Sequence, residues 1–168
     1  MSDCLYLEQL EPGAVWTSPS RTVTETDVVF FAGMTGDFDP LHVDHDYAAQ
    51  SHYGKPIAHG LLGLSLMAGL SSTTPRLKNL ALVRIESWDF HRPIYIGDTI
   101  HVVNVIEQIT PRGRRSGEVV WNRKLMNSRG ECVQSGRIIT IVARRTFAPR
   151  NEVVATRISM DEVPQSHS

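Results

Sequence analysis

Leu61-Leu62-Gly63-Leu64-Ser65-Leu66-Met67-Ala68-Gly69-Leu70 is the most apolar run of the chain, and at helical spacing it is apolar almost all round, with only small residues between the large ones. A helix of this kind has no polar face to give to water, so other structure must wrap it. It is far shorter than the roughly 20 residues that a membrane-spanning helix needs. Beyond it the chain changes period. Ala81-Leu82-Val83-Arg84-Ile85, Thr99 to Ile106, Glu118 to Leu125 and Ile138 to Val142 are rich in β-branched residues and read as strands. Turn signals separate them at Ile96-Gly97-Asp98, Pro111-Arg112-Gly113 and Ser128-Arg129-Gly130. A further strand around Val15 to Val23 makes five. Helices first and consecutive strands afterwards predict an α+β fold, an antiparallel sheet wrapped around one central helix.

Upstream of that helix, Thr24 caps a short helix. Asp27 lies near its positive end, and Val28, Phe31 and Ala32 fall on one face. It leads into Gly36-Asp37-Phe38-Asp39-Pro40-Leu41-His42. Proline confines its predecessor to extended geometry and fixes its own φ, so Asp37 and His42 are expected on a loop. Asp44 to Gln50 reads as a second short helix, broken by Gly54-Lys55-Pro56.

The 168 residues, 41% hydrophobic and 21% charged, suit one folded domain, taken as residues 1–150, with a loosely held polar tail over 151–168. A net charge of -1 gives no whole-chain attraction to nucleic acid or to an anionic membrane. Cys4 and Cys132 match no zinc or redox spacing and are expected as free thiols. The amino terminus lacks the basic and long apolar regions of a secretory signal, so a soluble, cytoplasmic protein is expected.

Asp37 and His42 are the candidate acid and base. Alone, an aspartate after glycine ordinarily closes a turn through its side chain, and a lone histidine is as readily a surface or hydrogen-bonded residue. Together, on a loop set by Pro40, they form a carboxylate–imidazole pair able to exchange protons near neutrality. Ile57-Ala58-His59-Gly60 is the second candidate segment. A helix opening at Gly60 presents unpaired N–H groups at its positive end, suited to a carbonyl oxygen gaining negative charge; tight packing explains the glycine equally well. Ile57, Ala58 and His59 are candidate walls of a substrate pocket, with His59 more ordinarily a hydrogen-bonded structural residue. No metal is expected, because the seven histidines make no His-Glu-x-x-His or Cys/His cluster. Arg112, Arg114 and Arg115 read first as a solvated hairpin and second as a contact for coenzyme A phosphates.

At Gly36-Asp37-Phe38-Asp39-Pro40-Leu41-His42-Val43-Asp44, Pro56-Ile57-Ala58-His59-Gly60 and Phe90-His91-Arg92-Pro93-Ile94-Tyr95-Ile96-Gly97-Asp98-Thr99 the chain resembles the MaoC-like hydratases and dehydratases, the group with the hot-dog fold that includes the (R)-specific enoyl-CoA hydratases. The likeness runs from about Ser20 to about Arg145. It implies a homodimer, or an assembly of dimers, with the two sheets joined side by side and the site near the interface. It also implies an acyl-CoA or acyl-carrier thioester as substrate and no cofactor beyond that arm. The family's catalytic aspartate and histidine fall on Asp37 and His42, and its carbonyl-binding amide on Gly60. Where the family commonly has asparagine, this chain has Asp39, and an ionised carboxylate cannot donate as an amide does.

The resemblance implies reversible hydration of a 2-enoyl thioester to the (R)-3-hydroxyacyl product. A hot-dog thioesterase is the alternative enzyme. Such enzymes usually place an acidic residue on or near the central helix, and Leu61 to Ser72 contains none. A non-catalytic acyl-binding subunit is the third reading, opposed by the presence of both Asp37 and His42.

Overall fold

Four long antiparallel strands form the sheet that the β-branched runs predict: β3 (Asn79–Phe90), β4 (Thr99–Arg112), β5 (Ser116–Asn127) and β6 (Cys132–Ala143). The structure, a computed structural model, describes residues 4–145. The expected 151–168 tail lies outside the described residues. β4, β5 and β6 pair in succession and β3 returns to pair with β6, giving the order β1-β4-β5-β6-β3.

The amino-terminal strand is split, so the sheet has six strands, not five. β1 (Val15–Thr17) and β2 (Arg21–Thr22) both pair antiparallel with β4. Pro19 stands between them and has no N–H for a ladder. Ser18 bridges the gap, donating its N–H to the Val102 carbonyl and accepting the Val102 N–H on its hydroxyl, each at 2.9 Å. The proline at 111 does not end a strand as expected. β4 runs on to Arg112 beside β5, beyond the reach of β1, where a sheet edge tolerates proline.

α1 (Glu25–Thr35) begins at Thr24, whose side chain accepts the Asp27 N–H while the Asp27 carboxylate takes the Thr24 N–H. Two otherwise orphaned donors are thereby satisfied. Gly36 ends the helix at φ 79°, a left-handed conformation that costs glycine nothing. The next segment is more regular than the sequence suggests. Pro40–Val43 forms a short helix, α2, with Asp39 as its cap and Pro40 at the first position, where a missing N–H is harmless. α3 (His45–Gln50) comes next, capped by Asp44.

α4 (Gly60–Ser71) is the central helix. Leu62, Leu66 and Met67 are buried with Val102, Leu125, Val133 and Ile138 of the sheet. Gly63 permits this approach, because a Cβ there would stand 2.3 Å from the Gln134 side chain. The sheet wraps one side of the helix, as the apolar run predicts, and the other side carries the exposed positions. Leu61, Ser65, Ala68 and Ser72 are exposed, and all but Leu61 are small, so little apolar area is left to water. β3 forms the edge on that side, with Leu80, Leu82, Val83 and Ile85 exposed. A second cluster, with Trp121, Ile106 and Val119, fills the other end of the sheet.

Candidate active site

The site lies where α2 meets the amino end of α4. Asp37 sits in the link between α1 and α2, and its Oδ1 accepts the Asp39 N–H at 3.3 Å. His42, one turn on, donates Nδ1–H to the Ile57 carbonyl at 2.8 Å. A carbonyl can only accept, so the proton of neutral His42 resides on Nδ1 and Nε2 presents a lone pair. His59 is held in the same way. Its Nε2–H donates to the Asp37 backbone carbonyl at 2.9 Å, and its Nδ1 is buried without a hydrogen-bond partner. The His42 and His59 rings stack at 3.8 Å with 30° between their planes. Donor atoms of Asp37, His42 and His59 all lie within 4.8 Å of one another.

The structure therefore brings together Asp37, His42, His59 and Gly60, and gives the remaining candidates supporting places. The Ile57 carbonyl fixes the His42 tautomer, and the Ile57 N–H donates to the Leu41 carbonyl at 3.2 Å. Ala58 is buried and donates its N–H to Ile94 at 2.8 Å. Gly60 is the first residue of α4. The His59 side chain does not cap that helix, and the Leu62 and Gly63 amides turn back to the His59 carbonyl. The Gly60 N–H thus stands at the positive helix end beside His42 without an intrahelical acceptor. Asp39 needs no donor. Its Oδ1 accepts the Leu41 N–H at 2.9 Å, which a carboxylate does as well as an amide.

Three donors this close can hold a cation or a water, and among the described residues this is the one such group. His42 and His59 each already give one ring nitrogen to a backbone carbonyl, which leaves one nitrogen on each for such a partner.

Two cavities flank the pair. One, of about 390 Å³, is lined by Phe31, Thr35, Asp37, His42, His59, Gly60, Leu61 and Phe90. The other, of about 280 Å³, adds Tyr53, His91, Arg92 and Gln134 on the far side of His42 and Gly60. Gln134 was not among the sequence candidates. Its Nε2 donates to the Gly60 carbonyl at 3.0 Å, and its Oε1 accepts the Trp88 Nε1–H at 3.1 Å. An amide at a buried position of a strand was its only signal. Arg112 pairs with Glu118 across the β4–β5 hairpin. That hairpin is a dozen residues along β4 from Ile100, roughly 40 Å at 3.3 Å per residue. The Arg112–Arg115 turn is thus remote from its own chain's site.

Residues 9–126 match the family model described as the MaoC like domain. The chain belongs to the MaoC-like domain family. It is 34% identical over 113 residues to the 3-hydroxybutyryl-CoA dehydratase of Methylorubrum extorquens, covering 67% of this chain and 70% of that protein. It is 27% identical over 135 residues to the (R)-specific enoyl-CoA hydratase of Rhodospirillum rubrum, covering 80% and 85%. Protein MaoC of Klebsiella aerogenes is 34% identical over 113 residues, but the match spans only 34% of that protein. A Mycobacterium tuberculosis protein with a double hotdog fold superposes with a TM-score of 0.77 over 98% of this chain and 53% of its own, at 19% identity. The fold is the hot-dog fold, and the family is one of hydratases and dehydratases. Among the described residues, no helix is long and apolar enough to cross a membrane.

Proposed function

We propose that the protein is a hydro-lyase that reversibly adds water to a 2-enoyl thioester, of coenzyme A or of a carrier protein, to give the (R)-3-hydroxyacyl thioester. The observation that carries this reading is the meeting of the Asp37 carboxylate and the His42 imidazole beside Gly60, with the His42 tautomer set by the Ile57 carbonyl.

A water between the two side chains attacks C3. Asp37 takes its proton as the C3–O bond forms, and the π pair moves toward the thioester carbonyl. Asp37 passes that proton to the Nε2 lone pair of His42, and the imidazolium so formed delivers it to C2, which restores the carboxylate and the Nδ1–H tautomer. The Gly60 N–H, at the positive end of α4, stabilises the enolate oxygen where charge develops. His59 positions Asp37 through its backbone carbonyl, and Ile57 and Ala58 hold the wall from which His42 hangs. No cofactor enters these steps.

The same reading makes the molecule a homodimer. Among the described residues β3 pairs only with β6, and its exposed Leu82, Val83 and Ile85 are what a sheet continued into a second copy would cover.

The test is the loss of the conjugated-thioester absorbance with crotonyl-CoA and longer 2-enoyl-CoAs, with chiral analysis of the product and a parallel assay of free thiol. Hydration to the (R) product without thiol release is expected. Thiol release from saturated acyl-CoA would establish a thioesterase instead, and binding without turnover a non-catalytic subunit.

A further inference from the structure

Arg123 is a cation with no counter-charge among the described residues. It sits on β5 among Val119, Trp121 and Leu125, the inward-facing residues of that strand, and it is 9% exposed. Its Nη1 reaches the Met67 sulfur at 3.8 Å and its guanidinium lies 5.3 Å from the centre of the Trp121 ring. Its Nε has no partner, and among the described residues no carboxylate pairs with it. Burial lowers its pKa to about 10, which leaves it charged at neutral pH. Buried charges are ordinarily paired, and an uncompensated one is strongly unfavourable. An unsatisfied buried group therefore calls for an explanation.

The guanidinium lines a cavity of about 360 Å³ between α4 and the sheet. Leu64, Ala68, Leu82 and Ile85 give that cavity apolar walls, and Ser71 and Thr140 join Arg123 at its polar part. Ser71 and Thr140 are already engaged, with Asn104 and Trp121 respectively, so Arg123 is the group still in need of an acceptor. The cavity begins at Leu64, one turn beyond Leu61, which lines the space around Asp37 and His42. From Gly60 to Met67 the helix advances about 10 Å, a span suited to a medium-length acyl chain laid along the open flank of α4.

We infer that Arg123 is a specificity-determining residue: it receives a carboxylate at the far end of the acyl chain, so that the preferred substrates are thioesters of dicarboxylic 2-enoic acids. This rests on the hydratase reading of Asp37, His42 and Gly60, with the thioester carbonyl at Gly60 and the chain running toward Leu64. The apolar walls take the methylenes, and the guanidinium gains the charged acceptor that the described residues do not supply.

The experiment compares 2-octenoyl-CoA with its ω-carboxy counterpart, on the wild-type protein and on Arg123→Met, which keeps an unbranched side chain without the charge. The expected result is a wild-type kcat/KM higher for the carboxylated thioester by on the order of tenfold to a hundredfold, and a reversed preference in Arg123→Met. An equal ratio of the two substrates in both proteins, with hydration intact, overturns the inference and leaves the hydratase reading standing. If neither thioester is hydrated the hydratase reading fails, and calorimetry with the saturated ω-carboxyoctanoyl-CoA and octanoyl-CoA still decides. Tighter binding of the carboxylated ligand that is lost in Arg123→Met supports the inference, and equal binding overturns it. The unfolding midpoint of Arg123→Met is expected at or above that of the wild type, since an unpaired buried cation is removed.

Discussion

Replacing Gly60 by proline removes one hydrogen-bond donor while leaving the local backbone in place. Gly60 is the first residue of α4, and His59 before it has ψ 139°, the extended geometry that proline demands of its predecessor. Proline is favoured at a first helical position, where the N–H has no intrahelical acceptor. The variant is therefore expected to fold with an unchanged or slightly raised melting temperature. The side effect is steric. A Cβ at this position stands 3.0 Å from Cε1 of Phe90 and 3.2 Å from its Cδ1. Phe90 is 55% exposed, so its ring can swing away. Gly60→Ala carries the same Cβ and keeps the N–H, which makes it the matched control. Loss of one donor to a developing oxyanion costs about 10²–10³ in kcat, and the proline ring also fills the space the substrate carbonyl would occupy. We expect Gly60→Ala to stay within about tenfold of wild type, and Gly60→Pro to fall a further 10²-fold or more in kcat/KM for enoyl-thioester hydration. Equal activity in the two variants, with both folded, would refute the assignment of the carbonyl to this amide.

Asp37→Asn and His42→Ala are each expected to lower kcat by about 10²–10⁴ with melting temperatures near wild type, measured with the same absorbance assay. Asp39→Asn should keep activity within a few-fold, since asparagine caps α2 as well as aspartate does, whereas Asp39→Ala loses about 1 kcal/mol of stability with the cap; denaturant titration and kinetics together check both. The third expectation concerns pH. Burial pushes the Asp27 carboxyl up, but the Thr24 N–H and hydroxyl and the Arg21 guanidinium together hold it below its ordinary 3.8. A depressed carboxylate contributes stability that is present above 3.8 and is lost as pH falls through the folded-state value. The stability gap between wild type and Asp27→Ala should thus be full at neutral pH and narrow below about pH 4; a gap independent of pH would show that the ionised carboxylate contributes nothing.

Legibility in the sequence depended on whether a feature is a property of residue type or of chain placement. The central helix could be read because Leu61 to Leu70 offers no polar face, and the strands because β-branched residues cluster in long runs. Asp39-Pro40 was harder, since a turn and the first turn of a helix use the same two residues. The Asp44 N–H on the Pro40 carbonyl at 3.0 Å decides it, an i to i−4 bond that a simple turn does not make. Arg123 and Gln134 were hidden among other polar residues. Arg123 stands beside Asn122 and Lys124, and Gln134 beside Ser135, so residue type alone does not separate the buried polar side chain from its more exposed neighbours.

The contacts that orient the site were illegible for a different reason. His42 donates to the carbonyl of Ile57, and His59 to that of Asp37. Every residue has a carbonyl, so neither acceptor leaves a mark on residue identity, and the second spans 22 positions. These bonds belong to the path of the backbone. Replacing Ile57 by valine would keep the His42 tautomer, whereas a change that shifts the link between α1 and α2 would disturb Asp37 and His59 together. The identity of Asp37 and His42 is a matter of sequence, and their alignment is a matter of fold.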